Sequence, residues 1–104
     1  MEQLRRAIGE ALRTGVPSLA ELASALGTSE RTLRRRLGEH GWSYRALLDA
    51  TRMDLARCYV RDRGLPLAEV AFLLGFSEPS AFHRAFKRWA GMTPREFREQ
   101  RGAE

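Results

Sequence analysis

The chain has 104 residues, enough for one domain or two small lobes, and its 43% hydrophobic and 30% charged residues are typical of a folded protein rather than a disordered tail. A single cysteine excludes a disulfide framework and a thiolate metal site within the chain, and no apolar run of about 18 residues and no signal-peptide profile is present, which predicts a cytoplasmic protein without a membrane span. Seventeen arginines and one lysine against thirteen acidic residues give a net charge of +5, which favours nucleic acid as partner, although a basic surface alone also suits a membrane or an acidic protein.

An amphipathic helix is predicted at the N-terminus. Leu4, Ile8 and Leu12 recur at four-residue intervals, which places their side chains on one helical face. Gly15 is expected to end this helix, because glycine readily adopts the left-handed conformation found at many helix ends.

The next segment predicts a helix, a tight turn and a second helix. Ser18, with Glu21 three residues later, has the spacing of a capping box, and apolar residues then recur every three or four positions. Gly27 is expected to end the first helix for the same reason as Gly15. The second helix, over about 29–40, has only two large aliphatic side chains with which to contact the protein.

A long connecting helix is predicted from Ser43 to about Asp62. About 20 residues of α-helix span roughly 30 Å. Its packing positions include Leu47, Leu48, Leu55, Ala56, Tyr59 and Val60.

The segment after the connecting helix repeats the first unit. Residues 67–78 match residues 19–30 at eight of twelve positions, at a constant offset of 48. If the second copy has one extra residue, two phenylalanines of its second helix, over about 78–90, fall opposite the two leucines of the first copy. Thr93 and Pro94 then cap and start a last short helix.

These elements predict an all-α fold of about seven helices, with two helix-turn-helix units joined by one long helix. We expect the first unit to comprise residues 1–42, the connecting helix residues 43–63, and the second unit with the last helix residues 64–104.

The second helix of each unit has the side chains expected of a DNA-reading helix, which lies in the major groove where base edges are distinguishable. A connecting helix of roughly 30 Å approaches the separation of about 34–36 Å between successive major-groove faces. Two such helices on one chain are therefore predicted to enter adjacent grooves of a non-palindromic site. The polar side chains concerned are Arg31, Arg34, Arg35 and Arg36 in the first helix, and Ser80, His83, Arg84, Lys87 and Arg88 in the second. Successive helical residues are about 100° apart, so residues 34, 35 and 36 cannot all face DNA, and Arg36 is expected to face elsewhere.

From about residue 18 to residue 98 the chain resembles the DNA-binding domain of the AraC/XylS family of bacterial transcription regulators. The resemblance is strongest in residues 67–77, 80–87 and 91–98, which hold the spaced pattern Val-Ala, Gly-Phe, Phe-x-x-x-Phe-Lys, Gly-x-Thr-Pro and aromatic-Arg. It implies homeodomain-like helix-turn-helix units and sequence-specific binding of double-stranded DNA for transcription regulation.

The resemblance also implies roles for individual residues. Pro79 stands where relatives often have a polar base-reading residue, so a base contact is not expected there. Arg52 matches a recurrent family arginine whose role is either structural or a phosphate contact. The implied base-reading residues are Arg31, Thr32, Arg34, Arg35, Ser80, His83 and Arg84, and the implied phosphate contacts are Ser29, Arg52, Ser77, Lys87 and Arg88.

Family members usually carry a second, effector-binding or oligomerising domain N-terminal to this one. We therefore expect the chain to be the DNA-binding half of a longer regulator, monomeric when isolated, with Met1 as an introduced start.

Two alternatives to DNA reading remain open from the residues themselves. The cluster 34–36 of three arginines also fits a solvated face paired to Glu30 or Glu39. The basic surface also fits a protein-interaction module that docks on an acidic partner such as RNA polymerase. An enzyme is not expected, because the chain offers no nucleophile arrangement, metal-ligand set or phosphate-binding loop, and no cofactor or metal is predicted.

Overall fold

The computed structural model describes residues 1–102, which fold into seven α-helices and one 3-10 turn without a strand. The helices are α1 (Glu2–Ala11), α2 (Leu19–Ala25), α3 (Glu30–Glu39), α4 (Tyr44–Arg61), α5 (Leu67–Leu73), α6 (Pro79–Ala90) and α7 (Pro94–Gly102), and the 3-10 turn (Leu12–Thr14) follows α1. The predicted all-α architecture is thereby confirmed. Across residues 1–102, no helix combines the length and the apolar character needed to cross a membrane.

Hydroxyl side chains cap the starts of four helices. The Oγ of Ser18 accepts a hydrogen bond from the backbone N–H of Glu21 at 3.1 Å, and the Ser18 N–H donates to the Glu21 carboxylate at 3.2 Å, which confirms the predicted capping box. Ser29 and Ser43 cap α3 and α4 through their side chains. Thr93 makes the same reciprocal pair of bonds at the start of α7. Each cap satisfies a backbone N–H that has no partner within the helix.

Replacing Ser18 by alanine is expected to lower the free energy of unfolding by about 1 kcal/mol, because the Glu21 N–H then loses its acceptor. The measurement is urea denaturation followed by circular dichroism. Ser24, exposed on the same helix, provides the matched control, and its replacement by alanine should leave stability nearly unchanged. Equal losses at the two serines would show that the cap contributes nothing.

Two apolar cores lie along the connecting helix. The N-terminal lobe consists of α1, the 3-10 turn, α2, α3 and the first half of α4, and the C-terminal lobe consists of the second half of α4 with α5, α6 and α7. Leu55 packs against both cores, so α4 is a structural part of each lobe. The first core contains Leu4, Ile8, Leu12, Leu19, Leu22, Ala23, Leu33, Leu37, Leu47 and Leu48, and the second contains Ala56, Val60, Val70, Ala71, Leu74, Phe82, Phe86 and Phe97.

The two helix-turn-helix units share one type of turn. Gly27 has a φ of +69° and Gly75 a φ of +83°, a left-handed conformation that side-chain-bearing residues rarely adopt. The residue after each glycine donates its N–H to a carbonyl five residues earlier, Thr28 to Ala23 at 2.9 Å and Phe76 to Ala71 at 3.0 Å. This is the hydrogen bond of a Schellman helix end. The predicted ends of the first helix in both units are thereby confirmed.

Candidate nucleic-acid interface

Helix α3 divides its side chains between the core and solvent. Leu33 and Leu37 are 4% and 2% exposed and face the N-terminal core. Arg31, Arg34 and Arg35 are exposed. The protein's own packing therefore leaves the three predicted base-reading arginines of the first unit accessible.

Two of these arginines pair with carboxylates one helical turn away. The guanidinium of Arg34 lies 2.7 Å from the Glu30 carboxylate, and that of Arg35 lies 3.8 Å from the Glu39 carboxylate. The intrahelical ion pairs to Glu30 and Glu39, which the sequence allowed as an alternative to DNA reading, are therefore present. Exposed pairs of this kind contribute about 0.3–0.5 kcal/mol, too little to keep an arginine from exchanging its carboxylate for a DNA group. For Arg31, the structure of residues 1–102 shows no ion pair.

Ser29 and Thr32 interact with each other at the start of α3. The Oγ of Ser29 accepts a hydrogen bond from the Thr32 N–H at 3.1 Å and donates one to the Thr32 Oγ1 at 2.9 Å. Ser29 is exposed, whereas Thr32 is half-buried. The structure thus gives both side chains a capping role, and their contacts to DNA stay predictions.

Helix α6 is the counterpart of α3, with aromatic rings in place of leucines. Phe82 and Phe86 are each 1% exposed, and their ring centroids lie 5.8 Å apart in an edge-on arrangement. The exposed side chains of α6 include all of those predicted to contact DNA, namely Ser80, His83, Arg84, Lys87 and Arg88.

The two second helices differ in how their positive charge is balanced. In α3, four arginines and two glutamates leave a charge of +2. In α6, Arg84, Lys87 and Arg88 give +3 because the helix contains no carboxylate, and within residues 1–102 none of the three forms an ion pair. Both helices therefore present net positive charge, and α6 does so without competing carboxylates of its own.

The second helices also begin differently. Helix α6 starts at Pro79, with Glu78 in the N-cap position and no side-chain cap, so Ser77 lies one residue farther from its helix than Ser29 does from α3. Ser77 is exposed, and the Ser80 hydroxyl donates to the Glu78 carboxylate at 3.3 Å. The extra residue of the second copy falls at this helix start. The phosphate contact predicted for Ser77 stays a prediction.

The resemblance implied either a structural role or a phosphate contact for Arg52, and the Arg52 side chain makes structural contacts within the protein. Its Nε donates to the Leu74 carbonyl at 2.9 Å and its Nη2 to the Gly75 carbonyl at 3.5 Å, and its Cζ lies 4.3 Å from the centroid of the Phe76 ring. Burial lowers the pKa of the Arg52 guanidinium below its ordinary value. Because the guanidinium is engaged inside the protein, we do not propose the phosphate contact that the resemblance implied for Arg52.

Arg98 has a role that sequence reasoning did not identify. Its guanidinium donates to three backbone carbonyls at and just beyond the end of α4, those of Val60 (2.8 Å), Asp62 (3.0 Å) and Leu65 (2.7 Å). Carbonyls at a helix end have no partner within the helix, and a cation is favoured there. The aromatic-Arg pattern included Arg98 but gave no indication of these acceptors.

Two helix-turn-helix units whose second helices bury an apolar side and expose a positively charged polar side define a class of DNA-binding proteins. Residues 22–100 match the protein family described as "Helix-turn-helix domain". The chain belongs to the AraC-type family of helix-turn-helix DNA-binding domains, as its resemblance implied.

Similar proteins are transcription regulators. The chain is 46% identical over 83 residues to the ornithine utilization regulator of Pseudomonas aeruginosa, covering 80% of this chain and 24% of that protein. It is 41% identical over 100 residues to the HTH-type transcriptional regulator VirS of Mycobacterium tuberculosis, covering 93% and 29%. A crystal structure of a DNA-binding transcriptional dual regulator from Escherichia coli K-12 superposes with a TM-score of 0.80 at 29% identity, covering 97% of this chain and 94% of that one. The chain thus spans about a quarter of the length of the curated relatives it matches, 24% and 29%.

Proposed function

We propose that this chain binds double-stranded DNA in a sequence-specific manner, with α3 and α6 in adjacent major grooves, as the DNA-reading part of a cytoplasmic transcription regulator. The observation that carries the proposal is the exposure pattern of these two helices. Each buries its apolar side in a separate core and leaves a net positive polar side uncovered. This is the arrangement that a helix needs to insert into a groove lined by phosphates.

The dimensions of the molecule support reading by a monomer. The 18 residues of α4 span about 27 Å, and the longest dimension of the molecule is 45 Å. Successive major-groove faces on one side of B-DNA are about 34–36 Å apart. Since α3 and α6 belong to different lobes and differ in sequence, we infer a non-palindromic site read by one chain.

The exposed side chains divide into two proposed roles. Phosphate contacts supply affinity that depends on salt but not on sequence, whereas contacts to base edges supply specificity. We propose Arg31, Thr32, Arg34, Arg35, Ser80, His83 and Arg84 as base-contacting residues, and Ser29, Ser77, Lys87 and Arg88 as phosphate-contacting residues.

The proposal is tested by selecting duplexes from a random library and mapping the bound site by hydroxyl-radical footprinting. We expect two protected segments on one face of the duplex, about one helical turn, or 10 base pairs, apart. A scrambled duplex of equal length serves as the control. Protection of one segment would show that only one helix reads DNA. Weak binding to every duplex, without a steep dependence on salt, would instead indicate a module that docks on an acidic protein.

A further inference from the structure

The two lobes contact each other away from α4, at the turn between α5 and α6. The 3-10 turn that follows α1 packs against α5. A Cβ atom placed on Gly75 would lie 2.9 Å from the Cδ2 of Leu12 and 3.3 Å from the Leu12 carbonyl oxygen. Leu12 is itself fully buried in the core of the N-terminal lobe. The N-terminal lobe therefore rests directly on the backbone of the second helix-turn-helix turn.

Arg52 also contacts this turn. It lies in the middle of α4 and donates to the carbonyls of Leu74 and Gly75, while its guanidinium stacks on the Phe76 ring. These carbonyls lie just beyond the last residue of α5 and have no partner within that helix. The hypothetical Cβ of Gly75 would also lie 3.3 Å from the Arg52 Nη2, so Leu12 and Arg52 both pack closely against this one glycine. We call Leu12, Arg52, Gly75 and Phe76 the junction.

The junction connects directly to the second recognition helix. The Phe76 ring centroid lies 5.8 Å from that of Phe82 and 6.3 Å from that of Trp89, and both of these residues belong to α6. The C-terminal core takes Ala56 and Val60 of α4 as buried members, with Leu55 and Tyr59 packed against it, all in the last two turns of that helix. These core contacts lie near one end of α4, and the junction adds a contact between the C-terminal lobe and the middle of that helix.

We propose that the junction fixes the angle between α3 and α6, and thereby sets the spacing between the two DNA segments that the protein accepts. This inference rests on the proposed two-groove function. When two binding elements are linked, the second gains affinity from the first only if the linker holds it at the matching distance and orientation. A tight junction makes the protein selective for one spacing between the two DNA segments. A loosened junction lets α6 change its orientation relative to α3, so the protein then accepts other spacings.

The experiment measures affinity against spacing. The probes are a duplex selected with the native chain and derivatives with one to five base pairs inserted between its two protected segments. Five base pairs correspond to about half a helical turn, and this insertion is expected to weaken the native chain by about 100-fold. For Arg52→Ala we expect a penalty of about 10-fold or less, with unchanged affinity for a duplex that contains a single segment. Arg52→Lys, which can still donate to one carbonyl, is expected to be intermediate.

Control variants separate this role from a general loss of charge or fold. Arg57 is exposed on α4, and Arg57→Ala should keep the native spacing penalty. Phe76→Leu removes the ring under Arg52 but keeps an apolar side chain, so it provides a second test if Arg52→Ala does not unfold cooperatively. A native spacing penalty in folded Arg52→Ala or Phe76→Leu protein would overturn the inference. One protected segment with the native chain would instead contradict the proposed function, and this inference with it.

Discussion

Replacement of Phe86 by alanine is expected to lower the free energy of unfolding by about 3–5 kcal/mol. Phe86 is 1% exposed, and its ring lies between those of Phe82 and Phe97, with centroids 5.8 and 5.3 Å away in edge-on arrangements. Truncation leaves a cavity and removes two aromatic contacts, each of which contributes about 0.5–1.5 kcal/mol beyond the burial of its area. Total stabilities are only about 5–15 kcal/mol, so the loss is large. Urea denaturation, monitored by circular dichroism and tryptophan fluorescence, provides the measurement.

Phe72 offers a matched control in the same lobe. It lies in α5 and is 54% exposed, so Phe72→Ala is expected to change stability by no more than about 0.5 kcal/mol. Because Phe86 belongs only to the C-terminal core, the N-terminal lobe should keep its structure in the Phe86→Ala protein. A loss for Phe86→Ala as small as the one expected for Phe72→Ala would contradict the prediction, because it would mean that α6 does not depend on the core beneath it.

Local chemistry made the helices predictable from the sequence. Leu4, Ile8 and Leu12 are all buried at the spacing that predicted them. The capping box at Ser18 and the turn at Gly27 involve residues at most five apart, so the interacting groups are visible in a short stretch of sequence. The two cores follow from the same periodicity, because each helix has only one apolar side to bury.

The starts of α5 and α6 were harder to predict, because the residues next to them in the chain determine where each helix begins. Pro66 occupies the N-cap of α5 with a φ of −59° and a ψ of +139°, although the fixed φ of proline also suits the first helical position, so the sequence alone leaves the first residue of α5 undecided. The second copy has one extra residue at Glu78 and Pro79, so α6 begins differently from α3. The repeat in the sequence located the start of α6 only to within one residue.

The roles of individual arginines were the least predictable part of the candidate site. Arg52 binds a carbonyl 22 residues away, and Arg98 binds one 38 residues away, so no local pattern identifies either partner. Helical geometry did separate neighbours within α3, since successive residues differ in direction by about 100°. Arg36, expected to face away from Arg34 and Arg35, lines a small cavity together with Met1 and other residues of the N-terminal lobe.

Replacement of Arg84 by alanine is expected to weaken binding to a selected duplex by about 1–3 kcal/mol, or roughly 5- to 150-fold, with a smaller effect on a scrambled duplex. Arg84 is exposed on α6, and among residues 1–102 no carboxylate pairs with it. Its guanidinium is therefore free to donate two parallel hydrogen bonds to a guanine edge, a contact that distinguishes bases. Fluorescence anisotropy with the two duplexes at one fixed salt concentration provides the measurement.

Arg36→Ala is the matched control for this substitution, since it removes the same charge from the other recognition helix. Arg36 lines the cavity beside Met1 and Leu4, so it contributes to the general positive field rather than to a directed base contact. Its loss should weaken the selected and scrambled duplexes by similar factors. The ratio between the two duplexes therefore isolates base reading from charge. If Arg84→Ala leaves that ratio as unchanged as Arg36→Ala does, Arg84 contacts phosphate and the sequence preference of α6 must come from Ser80 and His83.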